Sequence, residues 1–237
     1  MKRGVHRHSH WSNVFKAYYY GIVTNFGSRK KVDKLNQETL EFVEKGEPLT
    51  ILLHGVAANY HRSMYSTILL LRKFGIHVYS LGYDFRNSIE VSARSVQNQI
   101  QELMKLTGCK KINIIGICLG GPISRYYAGE LGGKKIIDHL VTIHSPLKFI
   151  PPQENKFGLA VNKAVGGCPE IYNMGLKKIE GKNPVKKHLY IYSEDDIIIS
   201  KDFTYDKMAH HICIGGGHLM VSYNPDALKL AADFILS

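Results

Sequence analysis

A cysteine at the end of an apolar run, set among glycines, is placed for nucleophilic chemistry. The stretch INIIGICLGG, residues 112–121, has this form, with Cys118 at its turn. A side chain presented on a sharp strand-to-helix turn requires very small residues two positions before and two after it. Gly116 and Gly120 meet that demand, and Gly121 follows. Pro122 then falls in the first turn of the expected helix, where its missing N–H is not needed. A helix starting beneath the thiol would favour both a thiolate and an oxyanion, through its partial positive charge and free N–H groups. The plainer use of such a residue is as a buried cysteine between sheet and helix.

Other stretches supply what a nucleophile would need. Upstream, LLHGVAAN (52–59) puts His54-Gly55 at the end of a strand, so that the Val56 N–H and the Leu119 N–H could form a two-donor oxyanion hole. Downstream, YSEDDIIIS (192–200) places Asp195 and Asp196 just after a strand, and GGGHLMVSYNP (215–225) places His218 in a loop after the last strand. The chain order is nucleophile, acid, histidine. His54, His144, His210 and His211 need no part in this chemistry.

The elements that must position these residues alternate, which points to an α/β protein with a mostly parallel sheet. Strands are expected at 49–55, 77–83, 111–117, 137–145, 188–194 and 210–216; several are near-continuous apolar runs, as in strands covered on both faces. Between them SMYSTILLLRKFG, SARSVQNQIQELMKLTG and PISRYYAGELGG carry helical spacing and closing glycines, and NPDALKLAADFIL reads as a final helix. The stretch 149–184, with its PP, GG and GKNP, breaks the alternation and reads as an irregular, lid-like insertion. Residues 1–237 are expected to form a single domain that opens with a basic and aromatic segment, 1–48.

From about residue 49 to 237 the chain resembles α/β-hydrolases of the lipase and esterase type, on the motifs LLHG, GICLGG, TIHSP, EDDIIIS and GGGHL. The resemblance implies the α/β-hydrolase fold, a central sheet with helices on both faces, and a Cys118, His218, Asp196 triad. His218 would be the general base, and Asp196 would fix its tautomer. In that family the acid is followed, after one intervening residue, by an apolar pair and a small residue or proline. Ile198-Ile199-Ser200 therefore selects Asp196, with Asp195 as the alternative. Two features depart from the family pattern: a cysteine stands where serine is usual, and TIHSPLKF lacks the glycine and small polar residue that usually follow the proline. The Gly-x-Cys-x-Gly-Gly elbow is similar to that of polyhydroxyalkanoate synthases, which are usually much longer.

These readings give an acyl hydrolase of the esterase, lipase or thioesterase kind, acting on an acyl ester or thioester, small molecule or lipid. The alternatives are an acyltransferase, polyester-synthase-like, with an acyl thioester donor, and a binding protein that kept the fold without turnover. No cofactor and no metal are expected. The net charge is +11 over 237 residues. The basic stretches MKRGVHRHSH, SRKK and Lys177 to Lys187 come without a nucleic-acid motif, so no nucleic acid is expected; an anionic membrane surface is the other partner they would suit, and WSNVFKAYYYGIV could touch such a surface. The first residues lack the apolar run and cleavage site of a secretory signal, and Cys109, Cys118, Cys168 and Cys213 lack metal-type or disulfide-framework spacing. A cytoplasmic setting is expected.

Overall fold

The computed structural model describes residues 29–44, 46–56, 58–61, 63–151, 160, 163, 166–204, 209–218 and 223–237. Six strands form one sheet: β1 (Leu49–Leu53), β2 (Val78–Leu81), β3 (Ile112–Ile117), β4 (Ile137–Ile143), β5 (Lys187–Tyr192) and β6 (His210–Cys213), in the order β2-β1-β3-β4-β5-β6. Every pairing is parallel. Parallel neighbours require crossovers; helix α1 (Arg29–Glu44) precedes the sheet, the crossovers from β1 to β5 carry α2 (Tyr65–Lys73), α3 (Ile89–Thr107), α4 (Gly120–Glu130) and α5 (Pro169–Ile179), and α6 (Pro225–Ile235) follows β6.

The apolar runs explain why both faces are covered. Leu49, Ile51 and Leu53 of β1, with Ile112 and Ile114 of β3, pack on the side of α3, α4 and α5. Leu52, Ile115, Ile117, Val141 and Ile143 face the other side, where α2 and α6 contribute Ile68, Leu71, Leu228 and Ala231. Successive side chains of a strand alternate between faces, so a strand buried on both must be apolar throughout.

Helix ends follow local chemistry. Ser88 caps α3 by accepting the Val91 N–H, and Gly108 closes it in the left-handed region at φ 71°. Asn224 caps α6 ahead of Pro225.

Sheet order reverses beside β1: its sequence neighbour β2 lies on one side and β3 on the other. The crevice at the carboxyl ends of β1 and β3 is where open α/β sheets bind ligands.

Two regions differ from the sequence reading. Within 149–184 a helix, α5, replaces the expected irregular stretch, because Tyr172, Leu176 and Ile179 recur at helical spacing and bury against the α3 and α4 side. Within the segment 1–48, α1 forms over Arg29–Glu44; its buried stripe of Val32, Asn36, Thr39, Leu40 and Val43 includes two polar residues that find partners on β2. MKRGVHRHSH and WSNVFKAYYYGIV lie outside the described residues. Five of the six strands, all but β3, are also shorter than expected at their carboxyl ends, as in β4, which stops at Ile143. Among the described residues no helix is long and apolar enough to cross a membrane.

Candidate functional site

Cys118 follows β3 directly, and its backbone is left-handed at φ 51°. For a residue with a Cβ this conformation costs about 1–2 kcal/mol, so surrounding contacts must enforce it. The Cys118 N–H donates to Ile143 O at 2.9 Å, and the Gly121 N–H donates back to Cys118 O at 3.1 Å. The glycines are required by contact. A Cβ on Gly116 would lie 2.6 Å from the Gly120 carbonyl, one on Gly120 2.5 Å from Leu53 O, and one on Gly55 2.9 Å from the Cys118 Cβ. At Gly121 it would fall 2.1 Å from the Ser145 hydroxyl. The turn is therefore packed on all sides, with α4 starting immediately beyond it.

The backbone N–H groups of Val56 and Leu119 and the imidazole of His218 lie close enough to the Cys118 sulfur to favour its thiolate. Burial alone would push the thiol pKa up; the charge and hydrogen bond of His218, with the two N–H groups, outweigh it and bring the pKa below its ordinary value. For His218, burial acts downward, while the Cys118 thiolate and the Asp196 carboxylate act upward and prevail. The two shifts describe one preference, a thiolate beside an imidazolium.

His218 Nδ1 donates to Asp196 Oδ2 at 2.8 Å, which leaves Nε2 for the sulfur. The other carboxylate oxygen, Oδ1, accepts the N–H groups of Ile198 at 2.9 Å and Ile199 at 2.8 Å. Burial would raise the Asp196 pKa, but the hydrogen bonds from His144 and His218 prevail and hold it well below the usual carboxylate range. Asp195, the alternative acid, is exposed, and its N–H is taken by Ser193 Oγ.

His54 lies behind the Val56 loop rather than in the cluster. It is fully buried, stacked on Tyr83 with ring centroids 4.1 Å apart, and its Nδ1 donates to Gly55 O at 2.9 Å. The Tyr83 hydroxyl donates to the His54 carbonyl. Burial brings the His54 pKa down to about 4, so it is neutral near pH 7 and braces the turn.

One residue of the cluster was passed over in the sequence. His144, directly after β4, donates from Nδ1 to the same Asp196 Oδ2 at 2.9 Å. The ligand-type atoms of His144, Asp196 and His218 lie within 4.8 Å of one another, a spacing that could hold a metal ion. The N–O separations here are those of charge-assisted hydrogen bonds, whose protons occupy the space between the atoms. The signal available was position alone, a histidine at a strand end in TIHSP.

The arrangement is thus a low-pKa thiol with two N–H donors, a histidine on the thiol, and a carboxylate on the histidine. It comes from the carboxyl ends of four strands, β1, β3, β5 and β6. Comparison with known proteins places this geometry in context. Among solved structures the chain is similar to a monoacylglycerol lipase from Paleococcus ferrophilus (TM-score 0.56, 15% identity, covering 78% of this chain and 94% of that one). It is also similar to the lipase BlEst2 of Bacillus licheniformis (TM-score 0.62, 10% identity, 81% and 92% covered), and to a thermophilic esterase from Thermogutta terrifontis (TM-score 0.55, 12% identity, 80% and 89% covered). No curated protein matches the chain. The family described as alpha/beta hydrolase fold matches residues 48–170, more than half the chain, in the region that carries Val56 and the Cys118 turn. With that match and the parallel sheet around it, the chain belongs to the α/β-hydrolase family.

Proposed function

We propose that this protein is an acyl hydrolase with Cys118 as nucleophile, His218 as acid and base, Asp196 as the residue that orients His218, and the N–H groups of Val56 and Leu119 as oxyanion donors. The observation that carries the reading is the convergence on one sulfur of two backbone donors and a histidine. The lipase and esterase neighbours, similar in fold, agree with it.

The chemistry runs as follows. The Cys118 thiolate attacks the acyl carbonyl carbon, and the carbonyl electron pair moves to oxygen, where the two N–H groups receive it. Collapse of the intermediate breaks the bond to the leaving group, which takes the Nε2 proton of His218, and leaves a thioester on Cys118. Water then gives its proton to His218, attacks the thioester, and expels the thiolate. Because thiolate leaves more readily than alkoxide, a simple oxyester tends to revert at the first step, so acyl thioesters and activated esters are the favoured substrates. In this reading α5 walls the acyl pocket, since its Tyr172 phenol is close enough to feel the Cys118 charge. A low-pKa thiol oxidises readily, which suits a reducing compartment such as the cytoplasm.

The test is intact-mass measurement after mixing the protein with a p-nitrophenyl ester or an acyl thioester, with Cys118→Ala alongside. The expected result is a transient acyl adduct on the parent that the variant lacks, decaying in water. Decay that accelerates with added alcohol and yields the ester instead would turn the reading to acyl transfer. No adduct and no turnover over a series of acyl lengths would overturn it in favour of a binding protein.

A further inference from the structure

Four neighbouring strands, β3 to β6, each deliver one residue to the cluster: Cys118, His144, Asp196 and His218 in sheet order. His144 stands between the nucleophile strand and the acid strand, and three observations set it apart from an ordinary core histidine. Its backbone is left-handed at φ 45°, an adverse region for a side chain of this kind. It is fully buried, and its Nε2 has no hydrogen-bond partner among the described residues, a further cost. Its neighbours nonetheless fix it firmly: the His144 N–H donates to Ile191 O at 2.8 Å, and the Tyr190 hydroxyl bridges the N–H and carbonyl of Ser145 at 3.1 and 3.0 Å. What this strained residue gains is the bond to Asp196.

That bond completes the carboxylate. Asp196 has room for about four donors, and the two N–H groups on Oδ1 plus the two imidazoles on Oδ2 fill it. Burial lowers the pKa of His144 more than Asp196 raises it, so His144 stays neutral and gives a hydrogen bond without a charge. A carboxylate satisfied by a second donor pulls less strongly on the proton of the first.

Building on the function proposed above, we infer that His144 is a positioning residue that shares Asp196 with His218 and thereby eases the release of the proton that His218 passes to the leaving group. A cysteine nucleophile makes this useful. The thiolate already holds the proton on His218, and an unshared carboxylate would hold it further, leaving a poor acid for the leaving group. Among the described residues, the titratable groups that act on the cluster are Asp196 and His218 on His144, and the phenols of Tyr83, Tyr172 and Tyr190 near Cys118, shifted upward first by burial.

The test is the pH profile of Cys118 alkylation by iodoacetamide, read by mass at that residue, together with kcat and KM for a p-nitrophenyl ester. His144→Leu removes the donor. His144→Asn keeps one, because the asparagine Nδ2 occupies the place of the histidine Nδ1, and asparagine tolerates the left-handed backbone. Far-UV circular dichroism and thermal unfolding establish that each variant is folded, and His144→Gly, which relieves the backbone, replaces His144→Leu if that variant is not.

The expected result for the donor-less variant is an acid limb of alkylation moved to lower pH by about one unit, since the ion pair tightens. Its kcat falls by about 10-fold with KM little changed, and His144→Asn restores both. An acid limb that stays in place would overturn the inference, and so would one moving to higher pH, which would mean that His144 only holds Asp196 in position. Failure of the functional reading is distinguishable, because the parent itself would then alkylate like a free thiol.

Discussion

Gly116→Ala tests the elbow by geometry alone, without touching a reactive atom. The added Cβ would stand 2.6 Å from both the carbonyl carbon and oxygen of Gly120 and 2.8 Å from the Gly121 nitrogen. All three are backbone atoms, so no side chain can swing aside. Restoring ordinary contact requires β3 and the first turn of α4 to separate by about 0.8 Å, a strain of about 1–3 kcal/mol. At this chain length that corresponds to a fall in Tm of about 3–10 °C. The same movement carries Cys118 away from the Val56 N–H, which belongs to β1 rather than to α4. A misplacement approaching 1 Å at a reacting centre costs about 100-fold in rate. The assay is kcat/KM for a p-nitrophenyl ester beside a thermal melt, with Gly129→Ala as control. Gly129 lies on the same helix, but its Cβ would meet only Pro184 Cγ at 3.6 Å, ordinary contact. That change should stabilise the helix by about 0.5–1 kcal/mol and leave turnover alone. Gly116→Ala protein with turnover within about twofold of the parent would refute the argument that contact at this glycine sets the nucleophile.

Other expectations follow from the same site. Gly121→Ala brings a Cβ to 2.1 Å from Ser145 Oγ and 2.3 Å from Ser145 Cβ; it should destabilise the protein, and Ser145→Gly should recover part of the loss in a double-mutant cycle read by urea unfolding. Asp196 is lowered from its ordinary value of 3.8 in the folded chain, so its contribution to stability is complete above that value and is lost as pH falls through the lower folded one. Asp196→Asn should therefore lose less stability than the parent when urea unfolding is followed from pH 6 downward, while its esterase activity at pH 7 falls by orders of magnitude through the tautomer of His218.

The chain showed some of this plainly. The six strands and the helices between them were legible because a strand covered on both faces must be apolar along its length, as INIIGI is in β3. The elbow was legible for a related reason, since glycines on both sides of a cysteine are uncommon unless backbone must approach backbone. His144 was not, because a histidine at a strand end has the same appearance in sequence whether it is buried filler or bonded to a carboxylate 52 residues away. Helix α1 was hidden by Asn36 and Thr39, whose partners on β2 are the Ser80 backbone and the Val78 carbonyl. Helix α5 was obscured by its setting, with glycines and prolines on both sides of a short stripe of Tyr172, Leu176 and Ile179.

The two halves of the chemistry sit on strands of very different security. β3, which ends at Cys118, is buried along all six residues and held between β1 and β4. β6, which leads to His218, is a four-residue strand that among the described residues lies at the sheet edge, paired only with β5, with none of its residues fully buried. Opening free energies within a fold track burial and pairing, so the edge unzips long before the centre. When β6 detaches, the thiol keeps its turn and its two N–H donors but loses the cation that ionises it. On the proposed function, competence therefore fails earlier on a temperature or denaturant scale than the fold itself, and it returns last, when the rim of the sheet closes.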